Sequence, residues 1–265
     1  MDIISKESEY YDRNNGSSES EGRGVEDEHS VSLVDRFSGA EGSKVLCIDL
    51  DPQCNLTVSS GASMKGITVF EVLTEKATVE AEIQKTELGE MIAGHKGLSG
   101  LEVLLTQVGR GYRLRNRLKP LIGKEPSSGK YDVIILDTPP SLGILTINAL
   151  TACTKVIIPA NADFFSMYGI SQLGETIESV REYTNPEIKI EGILLTRYMA
   201  RTILSRDMTE NIKGLAERLK TKVFRTTIRE AQVLQKSIFK FAPKAKVTQD
   251  YVDFIEELCE EEGAL

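Results

Sequence analysis

Two short apolar runs, each ending in carboxylates, constrain this chain more than anything else in it. Val45-Leu46-Cys47-Ile48 leads into Asp49-Leu50-Asp51-Pro52, and Val133-Ile134-Ile135-Leu136 leads into Asp137-Thr138-Pro139-Pro140. Four apolar residues in a row, without polar alternation, suit a strand buried on both faces, as in a parallel sheet. Two further runs, Val156-Ile157-Ile158 and Ile193-Leu194-Leu195, end in Pro159 and Thr196. Helix-length segments at 141–153, 168–184 and 202–220 lie among them. Strand alternating with helix implies an α/β fold: a mainly parallel, doubly wound sheet covered on both faces. The expected strands are 44–49, 131–137, 154–159 and 190–196, side by side. Residues 66–126 are expected to hold a short helix from Gly66 to Glu75 and one or two more within 97–121. Tyr251, Phe254, Ile255 and Leu258 mark a last helix over 248–262.

In an open parallel sheet, ligands sit in the crevice beyond the C-terminal strand ends. Asp49, Asp51 and Asp137 all fall there. Each alone reads as a helix cap or a turn residue. Gathered on one sheet they need positive charge, which Mg²⁺ with phosphate supplies. Other chemistries find little support. The only histidines, His29 and His95, are far apart, and the four cysteines form no CxxC pair. A histidine-rich zinc site, a Ser-His-Asp triad and a disulfide framework are therefore not expected. No stretch approaches the roughly 20 apolar residues of a membrane span, and the N-terminus lacks a secretory pattern. The expectation is a cytoplasmic protein with free thiols and no membrane partner.

The residues from Lys44 through Asp49, Asp51 and Asn55 to Thr57 resemble the second motif of the ParA/Soj partition ATPases, within the ParA/MinD superfamily. Tyr131 through Asp137 to Gly143 is similar to that family's Walker B strand, and Leu194 to Tyr198 with Arg201-Thr202 to a later segment. The resemblance extends from about residue 43 to 258 and implies a deviant P-loop NTPase fold that uses ATP and Mg²⁺. It implies that Asp51 positions the attacking water and that Asp137 acts on Mg²⁺ through water. Asp49 would support both, and Thr196, Arg197 and Tyr198 would lie near the base. It further implies a homodimer closed by ATP, non-specific DNA binding and a ParB-like partner protein in plasmid or chromosome partitioning.

The family's first motif, K-G-G-x-x-K-T/S after a strand, is absent from the sequence as written. That loop supplies the N–H cradle, the phosphate-binding Lys and the Mg²⁺ hydroxyl. Gly22-Arg23-Gly24-Val25-Glu26-Asp27 stands in its place, with acids where Lys and Thr belong. Shifting the reading frame by one base offers an explanation. Codons for Glu19 through His29 can be chosen so that the shifted frame reads N-Q-K-G-G-V-S-K-T-S-T. In that frame Glu21 and Glu26 yield only Lys or Arg, and Asp27 only Thr or Met. Ser30 to Ala40 can then encode an apolar helix, A-S-A-L-W-I-A-L-A-A-Q. Residues 10–41 are thus read as out of frame, a divergent acidic tail being the other reading. The expected organisation is a disordered or out-of-frame segment over 1–42 and an ATPase domain over 43–265.

Charge is unevenly spread. Residues 1–42 carry 11 acidic and 4 basic side chains, 197–246 carry 4 and 13, and 247–265 carry 7 and none. A basic region within an acidic chain can bind phosphates locally. Arg225, Arg229, Lys244 and Lys246 are the candidate DNA contacts. A nucleotide-free ParA-like binding protein is the main alternative. A MinD-like membrane ATPase would need a basic amphipathic C-terminal helix, and Glu256 to Glu262 is acidic.

Overall fold

Each apolar run becomes a strand because the sheet buries it from both sides. The computed structural model describes residues 2–5, 44–86, 88–105, 109–122, 130–199, 203–231 and 242–261. Its strands are β1 (Asp2–Ser5), β2 (Val45–Asp49), β3 (Ile83–Thr86), β4 (Gly89–Ile92), β5 (Val133–Thr138), β6 (Lys155–Asn161) and β7 (Lys189–Thr196). They form one sheet in the order β3-β4-β2-β5-β1-β6-β7, parallel throughout except for the β3–β4 pair at one edge. The helices are α1 (Asn55–Ser59), α2 (Val69–Leu73), α3 (Leu101–Leu104), α4 (Arg113–Leu118), α5 (Ile144–Ala152), α6 (Phe164–Tyr183), α7 (Ile203–Arg218) and α8 (Lys246–Glu261).

All four expected strands are present, but they are not all neighbours. β1 lies between β5 and β6 and pairs with both. A helix about 10 Å across covers two strand spacings of about 4.8 Å, so α5 can return the chain past one intervening strand. Sequence reading placed no strand at Asp2–Ser5, because Ile3-Ile4 is too short a run to show a period. The rest of residues 1–42, including Gly22–Asp27 and the whole of the 10–41 frame assignment, lies outside the described residues.

Alternate strand residues feed two cores. Leu46, Ile48, Ile134, Leu136, Val156, Ile158, Ile193 and Leu195 pack with α2, α4, α5, α6 and α7. Val45, Cys47, Ile135, Ile157 and Leu194 face the other way, toward Leu56 of α1 and Val247, Tyr251, Phe254, Ile255 and Leu258 of α8. The exposed edge of β7 is covered by residues 222–229, which run along it as a strap. Ile193 N donates to Lys222 O at 2.8 Å, Phe224 N to Ile193 O at 3.0 Å, and Ile228 N to Leu195 O at 2.8 Å. Covering an edge in this way removes a template for aggregation. Two carboxylates of α8 hold the strap. Glu257 accepts from Arg225 N and Thr226 N, both at 2.8 Å. Asp250 accepts from Arg229 N, Nε and Nη2 at 3.1, 2.7 and 2.7 Å. Burial pulls the Glu257 carboxyl upward, but the hydrogen bonds from Arg225 and Thr226 outweigh it and hold it below the usual carboxylate range.

Candidate functional site

β2 and β5 deliver their carboxylates side by side. Asp49 and Asp137 are register partners at the C-terminal ends of the two strands, and Leu50 N continues the ladder to Asp137 O at 2.8 Å. Both side chains are wholly buried, and Asp51 is 1% exposed. With strands about 4.8 Å apart and two residues spanning at most about 7 Å, the Asp51 and Asp137 Cα atoms lie within about 12 Å. All three acids share one end of the sheet.

Asp49 is built in rather than displayed. Its Oδ2 accepts from Thr57 N at 2.9 Å and Thr57 Oγ1 at 2.6 Å, and its Oδ1 from Asp51 N at 3.0 Å. Thr57 Oγ1 in turn accepts from Gly94 N at 2.8 Å, just past β4. One carboxylate thereby ties the β2 end to the start of α1 and, through Thr57, to the β4 end. Asp51 Oδ1 accepts from Gln53 N at 2.8 Å, forming a tight turn that Cys54, at φ 57°, closes in the left-handed region. A Cβ on Gly94 would stand 2.9 Å from Asp49 Cγ and about as close to both carboxylate oxygens. Gly94→Ala is therefore expected to lower stability by about 1–3 kcal/mol through overpacking, read as an earlier urea midpoint.

Burial, then the nearby Asp137 and Asp49 carboxylates, push the Cys47 thiol well above its ordinary value. Thr138 Oγ1 is buried beside Asp137 without a hydrogen-bond partner among the described residues. Buried acids and an orphaned hydroxyl at strand ends fit a site completed by a cation with phosphate. Among the described residues no three acidic, histidine or cysteine side chains group closely enough to hold a metal directly.

A protein-family model described as an AAA domain matches residues 27–190. The chromosome partitioning protein ParA of Myxococcus xanthus is 36% identical over 190 residues, covering 70% of this chain and 65% of that protein. This chain thus spans slightly less than two thirds of that relative. ParA of Caulobacter vibrioides is 34% identical over 229 residues, covering 83% of this chain and 84% of that one. The chain belongs to the ParA/Soj family of partition ATPases. Its fold is also similar to that of a cobyrinic acid a,c-diamide synthase from Mycobacterium smegmatis solved with an ATP analogue and magnesium. That match has a TM-score of 0.75 at 29% identity and covers 96% of this chain and 92% of the other.

The remaining sequence-derived residues of this ParA-family chain stand apart from the acids. β7 lies four places from β2, so Thr196 is roughly 19 Å across the sheet from Asp49. Thr196 is buried, and its Oγ1 faces Asn161 Oδ1 at 3.5 Å. Arg197, at φ 47°, pairs with Glu230 at 3.5 Å, and Tyr198 N donates to Ile228 O at 3.0 Å. Arg225 is 77% exposed and reaches Glu257 and Glu260, both at 3.4 Å, while Arg229 is forked onto Asp250. Lys244 and Lys246 are exposed at the start of α8. Sequence reading missed Thr57, Gly94 and Asn161. Thr57 carried one signal, lying eight residues past Asp49 at the end of the second motif. Gly94 and Asn161 carried none, because their partners are distant in sequence.

Proposed function

We propose that this chain is a ParA-type partition ATPase with the acid half of its nucleotide site in place and the phosphate half lost from the sequence as written. The pairing of Asp49 with Asp137 in register, with Asp51 two residues on, carries the reading. Mg²⁺ would sit over Asp137 through water and neutralise phosphate charge. Asp51, held by Gln53 N, would orient the attacking water, and Asp49 would keep both strand ends fixed. Phosphoryl transfer relies mainly on positioning and electrostatics, so these groups suffice once a phosphate loop joins them. With acids at Glu21, Glu26 and Asp27 in place of that loop, binding of ATP·Mg²⁺ is weak. Thr196, Arg197 and Tyr198 would line the base end. Reading the coding DNA across codons 8–43 tests the frame: a K-G-G-V-S-K-T reading one base over supports it, and its absence removes it.

The frame-restored protein would close as an ATP-bound homodimer, bind duplex DNA without sequence preference and meet a ParB-like partner. Lys244 and Lys246 are the better-placed DNA contacts, because Arg229 already serves Asp250 and Arg225 serves Glu257 and Glu260. Lys244→Ala with Lys246→Ala should weaken binding equally on unrelated duplexes, flattening the slope of log K against log salt by about 0.9 per lost contact. An unchanged slope in a salt titration would move the DNA surface elsewhere, with Arg225 and Arg229 next. A MinD-like membrane role is disfavoured because the apolar face of α8 is spent on the sheet and its polar face is acidic.

A further inference from the structure

A second basic surface lies away from the strap. Residues 109–122 carry Arg110, Arg113, Arg115, Arg117 and Lys119 and no acid. Leu114 and Leu118 are buried beneath it. Asn148 of α5 fixes the segment, accepting from Leu114 N at 3.1 Å and donating to Arg110 O at 3.0 Å. Two of the five cations work internally: Arg113 and Arg117 both reach Glu75 Oε1, at 3.2 and 3.3 Å. Arg110, Arg115 and Lys119 are exposed, and no carboxylate pairs with them among the described residues. Arg115 gives Nη1 to Thr184 O at 3.1 Å, which steadies its guanidinium while leaving other donors for a ligand. Arg115 and Lys119 stand four residues apart in and just past α4, a spacing at which like charges on a helix repel. That repulsion is relieved by a polyanion.

The position matters as much as the charge. Leu114 and Leu118 join the core on the α5–α6 side of the sheet, whereas Val247, beside Lys246, joins the core on the α8 side. The two basic surfaces therefore face opposite ways.

We infer that Arg110, Arg115 and Lys119 form a second nucleic-acid backbone contact, so that one chain holds two duplex segments on opposite sides of its sheet. This rests on the DNA reading above and adds a site to it. A run of cations without an acid suits the evenly charged phosphate backbone, and the contact carries no base information.

The test uses the full chain as written, without nucleotide, at low salt, where phosphate contacts are strong enough for each basic surface to be read on a single chain and no closed dimer is needed. Arg110→Gln/Arg115→Gln/Lys119→Gln is compared with Lys244→Ala/Lys246→Ala by anisotropy on a short duplex across a salt series. Bead-tethered duplex is then used to capture a second, labelled duplex. In the Lys244→Ala/Lys246→Ala background, where this surface alone binds, adding Arg110→Gln/Arg115→Gln/Lys119→Gln is expected to lose about 2.7 from the salt slope, about 0.9 for each of three contacts. Each variant should abolish capture of the second duplex while keeping binding to one. A triple variant with unchanged slope and capture overturns the second surface. Loss in the triple variant alone, with Lys244→Ala/Lys246→Ala fully active, sustains this surface and removes the other. Polyglutamate competing as well as DNA would overturn the nucleic-acid assignment in favour of an acidic protein.

Discussion

Restoring the frame over residues 10–41 is expected to tighten ATP·Mg²⁺ binding by at least about a hundredfold, or ~2.7 kcal/mol. Within the loop this means Glu21→Lys, Arg23→Gly, Gly24→Val, Val25→Ser, Glu26→Lys and Asp27→Thr. The effect is large because three things return together. Backbone N–H groups at a helix N-terminus again face the phosphates, two lysines replace two acids, and a hydroxyl becomes available to Mg²⁺. The acids at Asp49, Asp51 and Asp137 would then stand at the same strand ends as a phosphate-bound cation. In that restored protein, Asp51→Ala should abolish turnover while sparing ATP binding, since a water-positioning group acts on the transition state. Calorimetry and a phosphate-release assay read the two parts separately. Micromolar affinity in the chain as written would refute the loss of the loop. Joint loss of binding and turnover in Asp51→Ala would refute its assigned role.

Phe254→Ala is expected to cost about 3–5 kcal/mol of stability, the range for truncating a buried aromatic. Phe254 is fully buried and meets the Phe224 ring edge-on, with centroids 4.9 Å apart. Phe224 in turn lies against Gly192, where a Cβ would come within 2.5 Å of the ring. The pair therefore joins α8, the strap and β7 in one stack. Glu257 and Asp250 would still hold the strap backbone, but the hydrophobic contact that seats α8 would be gone. Denaturant unfolding should show the loss, and limited proteolysis should find new cleavage within 222–229. A loss below about 1 kcal/mol would mean that the surrounding core collapses to fill the space.

The sequence showed strands best where the environment left no choice. β2, β5, β6 and β7 carry continuous apolar runs because both faces of each are covered, so their signal is local. β3 and β4, at an edge, mix Gln84, Lys85 and Glu90 with apolar residues, and no period emerges from four residues. The last helix was legible from its apolar spacing and appears as Lys246–Glu261. Its acids were not legible in the same way. They read as an acidic tail, yet Asp250 and Glu257 are buried acceptors for a strap some 20 to 30 residues earlier.

The sequence by itself determined the fold class, the family and the presence of acids at strand ends, because an apolar strand followed by Asp is written in consecutive residues. Only the tertiary structure decided which groups meet. It placed β1 between β5 and β6, tied Asp49 to Thr57 and through it to Gly94, engaged Arg229 with Asp250, and set two basic surfaces on opposite faces. The physical reason is reach. Periodicity and motifs report on neighbours along the chain, whereas a hydrogen bond spanning 37 residues, or the side of a sheet on which a charge stands, follows from how the layers pack.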